Sequence, residues 1–404
     1  MKQPRNKWKF RQRFRANAYG WSASTLATQR LKEALSEIKA VKRKDPVAAA
    51  EGAIILMERI WPAFAHIDTS SGALGNAAAK AVQELTGIIV AAPVDEDERE
   101  QWLQRLQQAI ANDGVDYLGE VRDRWGELCG SAERASREAD SLLPAVRNVW
   151  SQSQGGYFSG TPSCLSCLLV SGRYQELLDL IDEAPFVWWH YRQFGVRALE
   201  AMEKIDEAIE YAEQSRSLND PSVVIARTCE GILLRAGRAD EAYLRYAHDA
   251  HQAGTYLATC RSIIRTYPNK EPREILQDCI DRTPFEPGKW FAAAKTLGFL
   301  DIAAGVASRS PVNITTLLRA ARDFSEPNPS FSRASAMAAL HWMSQGQYYE
   351  ITDRDIRQAR DLALSAARAE GSQSTLEETS QFITQLAESD GTDEFVRRIL
   401  QMQR

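Results

Sequence analysis

The sequence predicts an all-α protein: an α-solenoid of helical hairpins through the middle of the chain, flanked by N- and C-terminal helical regions. Three observations predict it. Apolar residues recur every three to five positions over long stretches, the period of a helix with one buried face. Capping residues stand where those stretches begin. A short motif recurs at about the length of one helix–turn–helix unit. Apolar residues make up 44% and charged residues 25% of the 404 residues, an ordinary globular balance that fills a core.

Residues 1–20 read as a basic and aromatic arm. Lys7, Trp8, Lys9, Phe10, Arg11, Arg13, Phe14 and Arg15 alternate charge and ring, and no capping signal precedes them. The arm is expected to be disordered or extended. An N-terminal helical region spans 21–154. Its first helix starts near Ser22 and carries Leu26, Leu31, Leu35 and Ile38 on one face. Asp45-Pro46 starts the next, with Asp as N-cap and Pro at the first helical position. There Val47, Ala50, Ile54, Met57 and Trp61 point inward. After the loop His66–Gly72, a helix runs from about Ala73 to Ala92. The acidic cluster Asp95–Glu98 opens another, where negative charge suits the helix dipole. Helices follow around Trp102–Ile110, Tyr117–Leu128 and Glu133–Val149. The stretch Gly155–Gly160 marks the end of this region.

Residues 155–325 repeat themselves. Gly172-Arg173-Tyr174-Gln175-Glu176-Leu177 is similar to Lys204-Ile205-Asp206-Glu207-Ala208 and to Gly237-Arg238-Ala239-Asp240-Glu241-Ala242. Ala208 and Ala242 are 34 positions apart, and Leu177 precedes Ala208 by 31. A small turn residue lets two helices reverse sharply, and a small residue early in the second helix lets them approach. Each hairpin leaves an apolar face that a neighbour must cover. Ala208, Ala212 and Pro221, then Gly237, Ala242 and Tyr246, resemble the tetratricopeptide repeat, whose first-helix Trp, Gly and Tyr are poorly matched here. Further hairpins are expected through Thr255–Thr266, Arg273–Ile280, Trp290–Leu297 and Ile302–Ala307. Ser325–Pro329 is a second linker, and a C-terminal helical region spans 330–404, with Asp353 capping one helix.

The whole chain is also similar to an uncharacterised family of bacterial helical proteins. The blocks that carry the resemblance include Phe14–Trp21, Lys44–Ala53, Ser70–Ala73, Trp125–Cys129, Ala253–Thr259, Lys289–Lys295 and Ala320–Phe324. It implies a helical fold and a bacterial origin and adds no activity.

Charge is uneven. Residues 1–44 hold 13 Lys/Arg against Glu33 and Glu37 alone, a net of +11; since the whole chain carries -5, the other 360 residues carry -16. A basic arm on an acidic body points to an anionic partner or to the body itself. Cations contact phosphates, and Trp8, Phe10 and Phe14 would stack on unpaired bases, so Lys7, Lys9, Arg11, Arg13 and Arg15 with those rings are nucleic-acid candidates. An anionic membrane surface suits the same composition. A solubilising or self-docked tail is the simpler alternative.

Catalytic signatures do not occur: no GxSxG, HExxH, Walker A loop or strand–GxGxxG–helix unit. No catalytic residue, metal or cofactor is assigned. Cys164 and Cys167 form a CxxC without a second ligand pair, and the six cysteines read as reduced core residues. His248 and His251 flank Asp249, which reads more simply as a polar helix surface. His66, Asp68, Ser70 and Ser71 stand beside a helix N-terminus and are anion-binding candidates, with helix capping by Thr69, Ser70 or Ser71 as the simpler reading. Trp188, Trp189, Tyr191 and Arg192 are candidates for a protein-binding groove, since aromatic and arginine anchors suit the concave face of a helical repeat. Lys289 and Trp290 join them with less weight, and core packing is the alternative for all six.

No stretch approaches the 18 consecutive apolar residues of a membrane span, and the N-terminus lacks the apolar run of a secretory signal. The expected location is the cytoplasm. The expected role is a non-enzymatic adaptor or scaffold that binds another protein, with nucleic-acid association through the arm as the alternative.

Overall fold

The computed structural model describes residues 7–151, 156–215 and 222–402. Residues 1–6 of the arm, Gly155 of the expected boundary and Pro221 of the repeat match lie outside them. Among the described residues the chain is all-α, 73% helical and without strands. It divides into two compact units, Met1–Asp220 and Pro221–Arg404. The boundaries expected near 155 and 325 fall inside these units.

The first unit holds α1 (Ser24–Lys42), α2 (Pro46–Phe64), α3 (Ala73–Val90), α4 (Glu96–Ala111), α5 (Gly119–Asp123), α6 (Trp125–Leu128), α7 (Ala132–Trp150), α8 (Thr161–Val170), α9 (Tyr174–Asp182), α10 (Trp189–Ala201) and α11 (Ile205–Gln214). The starts follow the capping chemistry of the sequence. Asp45 accepts from Ala48 N and Pro46 takes the first helical position. Asp95 accepts from Glu98 N, with three acidic residues in the first turn. The inner face of α1 is Ala27, Leu31, Ala34, Leu35 and Ile38. Leu26 is exposed, because it lies one position off that stripe. The helix expected over Tyr117–Leu128 is two short helices, α5 and α6, which break at Arg124. One apolar core has members from Trp8 to Ala198, so helices α7 and α8, before and after the expected boundary, share it.

The arm departs from expectation. Lys9–Gln12 form a 3-10 turn, and Trp8, Phe10 and Phe14 are buried at 6%, 2% and 0% exposure. Phe14 meets Tyr19 and Phe64 edge-on or tilted at 6.3 and 5.6 Å. Glu37 holds the arm from below by accepting from Lys9 N (2.7 Å) and Phe10 N (3.2 Å). Every second to fourth side chain of the arm is therefore a core residue, and its cations alternate outward. Rings this large add more by burial than the ordering of a short segment costs.

The second unit holds α12 (Ser222–Arg235), α13 (Ala239–Ala250), α14 (Tyr256–Thr266), α15 (Pro272–Asp281), α16 (Phe291–Leu297), α17 (Leu300–Arg309), α18 (Ile314–Asp323), α19 (Pro329–Ser344), α20 (Asp353–Ala369), α21 (Gln373–Glu388) and α22 (Glu394–Gln401). Helices in both units pack mainly on their neighbours in sequence. A full capping box, Thr352 with Asp355, starts α20, one residue before the cap expected at Asp353.

Four hairpin turns share one geometry. Gly172, Glu203, Gly237 and Gly298 are all left-handed, with φ of 76°, 62°, 75° and 88°. The next N–H reaches back five residues to close the helix end: Arg173 to Leu168 O, Lys204 to Leu199 O, Arg238 to Leu233 O and Phe299 to Ala294 O, at 2.8–3.0 Å. Five positions after each turn residue stand Leu177, Ala208, Ala242 and Ala303, all fully buried. Three of the turns carry the same ion pair across the new first turn: Arg173–Glu176, Lys204–Glu207 and Arg238–Glu241. The repeat motif of the sequence thus encodes a helix stop, a helix start and a close helix contact.

Candidate functional site

Helix ends of the first unit converge on the start of α10. Trp150 ends α7, Thr161 begins α8, Asp123 ends α5, and His190 and Tyr191 lie in the first turn of α10. Close backbone approach sets this frame. The Gly126 N–H donates to Ser166 Oγ at 3.0 Å and ties α6 to α8. In α10, a Cβ at Gly195 would come 2.7 Å from the Tyr211 ring of α11.

Tyr191 is the hub. Its ring lies 5.9 Å from Trp150, 6.0 Å from Phe186 and 5.6 Å from Trp188, and Phe186 and Trp188 are 5.0 Å apart. Trp188 is the outer member at 46% exposure, held by extended backbone just before the helix. Around Tyr191 sit polar atoms with unused bonding capacity. The Trp150 Nε1–H, the Thr161 hydroxyl, the Tyr191 hydroxyl and Asp123 Oδ1 are buried without a formed hydrogen bond. The Thr161 and Tyr191 hydroxyls approach each other without the geometry of one. Such groups cost about 1–3 kcal/mol each, so four at one place are unusual for pure packing.

His190 Nε2 stands 3.3 Å from Asp123 Oδ1, with the histidine half exposed and the aspartate only 21% exposed. Burial pushes the Asp123 carboxyl up to about 6; His190 and, less strongly, Arg122 oppose that shift, while Glu120 and Asp116 add to it. Burial also pushes the Tyr191 phenol up to about 12.

The residues proposed from sequence fall into three groups. Trp188 is exposed. Trp189 and Tyr191 are buried, and the Tyr191 ring backs Trp188. Arg192 lies 4.2 Å over the Tyr211 ring and braces α10 against α11. Trp290 is fully buried, with its indole N–H donating to Thr283 Oγ1 at 2.7 Å, so it is a core residue. Lys289 is exposed and paired with Glu286 at 2.5 Å. In the arm, Trp8, Phe10 and Phe14 are buried and do not present faces for base stacking. Lys7, Lys9, Arg11 and Arg15 point outward, and Arg13 pairs with Glu33.

At the loop before α3, Asp68 accepts from Ser70 N at 2.9 Å, which lowers its pKa. Ser71 Oγ accepts from Ala73 N at 3.4 Å, and Gly72 takes the N-cap position, with His66 exposed nearby. A shallow recess of about 160 Å³ lies between α2 and α4 beside Trp61, where Arg105 is already held by Glu51 and Glu58 at 2.7 Å.

A second polar cluster, in the second unit, centres on Glu230, which is almost fully buried in α12. Its Oε1 accepts from the Tyr267 hydroxyl at 2.7 Å and lies 3.0 Å from His251 Nε2. His251 Nδ1 is 2.8 Å from Ser262 Oγ. His248 and His251 therefore do not share a ligand; His251 ties α12 to α14. Among the described residues no group of three His, Cys, Asp or Glu is placed to hold a metal ion, and no helix is long and apolar enough to cross a membrane.

Asp123, Trp150, Thr161 and Glu230 were not singled out by sequence reasoning. Each is an ordinary residue of a helix, and only the convergence of distant helix ends gives it a role. The chain matches no protein-family model and no curated protein.

Proposed function

We propose that this protein is a non-enzymatic helical-repeat scaffold, an α-solenoid of TPR-like hairpins, that takes a partner protein on the aromatic face at the start of α10. The observation that supports the reading is Trp188, exposed against the rings of Phe186 and Tyr191, in a cluster where four buried polar atoms form no hydrogen bond. Binding anchors are typically aromatic, preorganised and set beside desolvated polar groups. Repeated turns at Gly172, Glu203, Gly237 and Gly298 support the repeat reading, since each hairpin has the same stop and start. Selection of displayed random peptides on the intact protein tests it. Selected peptides should lose binding when Trp188→Ala replaces the parent. Equal binding to both forms removes the α10 face from the reading.

A second reading, contact with a polyanion such as nucleic acid through the arm, is supported by the outward Lys7, Lys9, Arg11 and Arg15. With Trp8, Phe10 and Phe14 buried, that contact is to phosphates and not to bases.

A further inference from the structure

We infer that the seat at Asp123 takes a cationic side chain, lysine or arginine, of a partner protein, and that Trp188 covers its methylene stem. The inference rests on the proposed function and names what that face recognises.

Asp123 is a mostly buried carboxylate, and the arginines nearest it in sequence make their ion pairs with other carboxylates. Arg122 is bound to Asp116 at 2.5 Å. Arg124 is bound to Glu127 at 2.5 Å, and Arg197 lies 3.8 Å from the same Glu127. The His190 imidazole stands against Asp123 Oδ1, at 3.3 Å and without forming a hydrogen bond, and Arg122 acts on the carboxylate from further off. Asp116 and Glu120 add negative potential around it. A buried carboxylate oxygen in this position is completed by an N–H donor that carries positive charge. An anionic group is repelled, and an apolar one leaves the oxygen unpaired.

The second, independent observation lies behind the carboxylate. The hydroxyls of Tyr191 and Thr161 are unpartnered on side chains at 1% and 0% exposure, and Tyr191 is near enough to Asp123 to feel its charge. They provide further acceptors for a multivalent donor such as ammonium or guanidinium. The exposed Trp188 ring suits a cation or its alkyl stem. His190, half exposed on the first turn of α10, stands at the mouth of this seat, so an entering cation competes with it for Asp123.

An array of end-blocked hexapeptides tests this. One position is fixed as Lys, Arg, norleucine, Glu or Asn, and the others are randomised. The labelled full-length protein is applied as parent, Asp123→Asn, His190→Ala and Trp188→Ala, each first checked for parental circular dichroism. The Lys and Arg pools should be held at least about tenfold better than the norleucine and Glu pools. Asp123→Asn should lose that preference, and His190→Ala should keep or strengthen it. Retention that depends on Trp188 but shows no preference for cations, with Asp123→Asn unchanged, overturns the inference and leaves the proposed function standing. Retention indifferent to Trp188→Ala overturns both.

Discussion

The indole of Trp8 lies flat on Gly52 of α2, so closely that a Cβ there would come 2.6 Å from Trp8 Cε2. The glycine is a socket for the arm. Gly52→Ala should push the indole out and destabilise the chain by about 1–3 kcal/mol, despite alanine's better helix propensity. Trp8→Ala should cost about 3–5 kcal/mol. Deleting residues 1–15 should lower the melting temperature markedly. A truncated chain that melts with the parent contradicts this packing.

The arm also shows where sequence reasoning stops. Its alternation of charge and ring was legible, but its burial was not, because the matching cavity is made by Gly52 and Phe64 of α2, which no local pattern links to it. The capped helix starts and the repeated turns were legible because each is set within a few residues. The site at α10 was legible only through Trp188. Its polar floor comes from the ends of α5, α7 and α8, 27 to 65 positions away in sequence.

The turn at Glu203 can be improved. It holds a left-handed conformation, φ 62°, that glycine occupies at the three equivalent turns. Glu203→Gly should stabilise the protein by up to about 1 kcal/mol, whereas Gly237→Ala should destabilise it by a similar amount. Chemical denaturation measures both. The same sign for the two substitutions contradicts a shared turn geometry.

Ala208 and Ala242 are fully buried where paired helices meet. Replacing either by Leu should overpack that contact and cost about 1–3 kcal/mol. Two Leu variants as stable as the parent contradict the hairpin contact.

Glu230 bridges Tyr267 and His251 out of water. Glu230→Ala should cost about 3 kcal/mol or more, because it leaves a buried phenol and an imidazole without their acceptor. Glu230→Gln should cost less, since the amide oxygen still accepts. Equal losses for the two would show that shape and not hydrogen bonding sets the cost.

Asp123 gives a pH signature. Its folded pKa, about 6, lies above its ordinary value of 3.8. The native chain therefore holds this proton more tightly than the unfolded chain does. Stability from this group is full below pH 3.8 and is lost as the pH rises through 6. Asp123→Asn should exceed the parent in stability by about 1–3 kcal/mol at pH 7.5, and the advantage should vanish near pH 4. Urea midpoints at the two pH values measure it. A constant difference between the proteins contradicts the burial of this charge.

The measurement closest to the central claim is the indole N–H spectrum of full-length protein labelled with ¹⁵N-tryptophan, titrated with an end-blocked lysine hexapeptide. The Trp188 and Trp150 signals should move together along one binding curve, while those of Trp8 and Trp290, buried elsewhere in the structure, stay in place. Binding that leaves the Trp188 and Trp150 signals unmoved would contradict the claim that the α10 face is where this protein takes its partner.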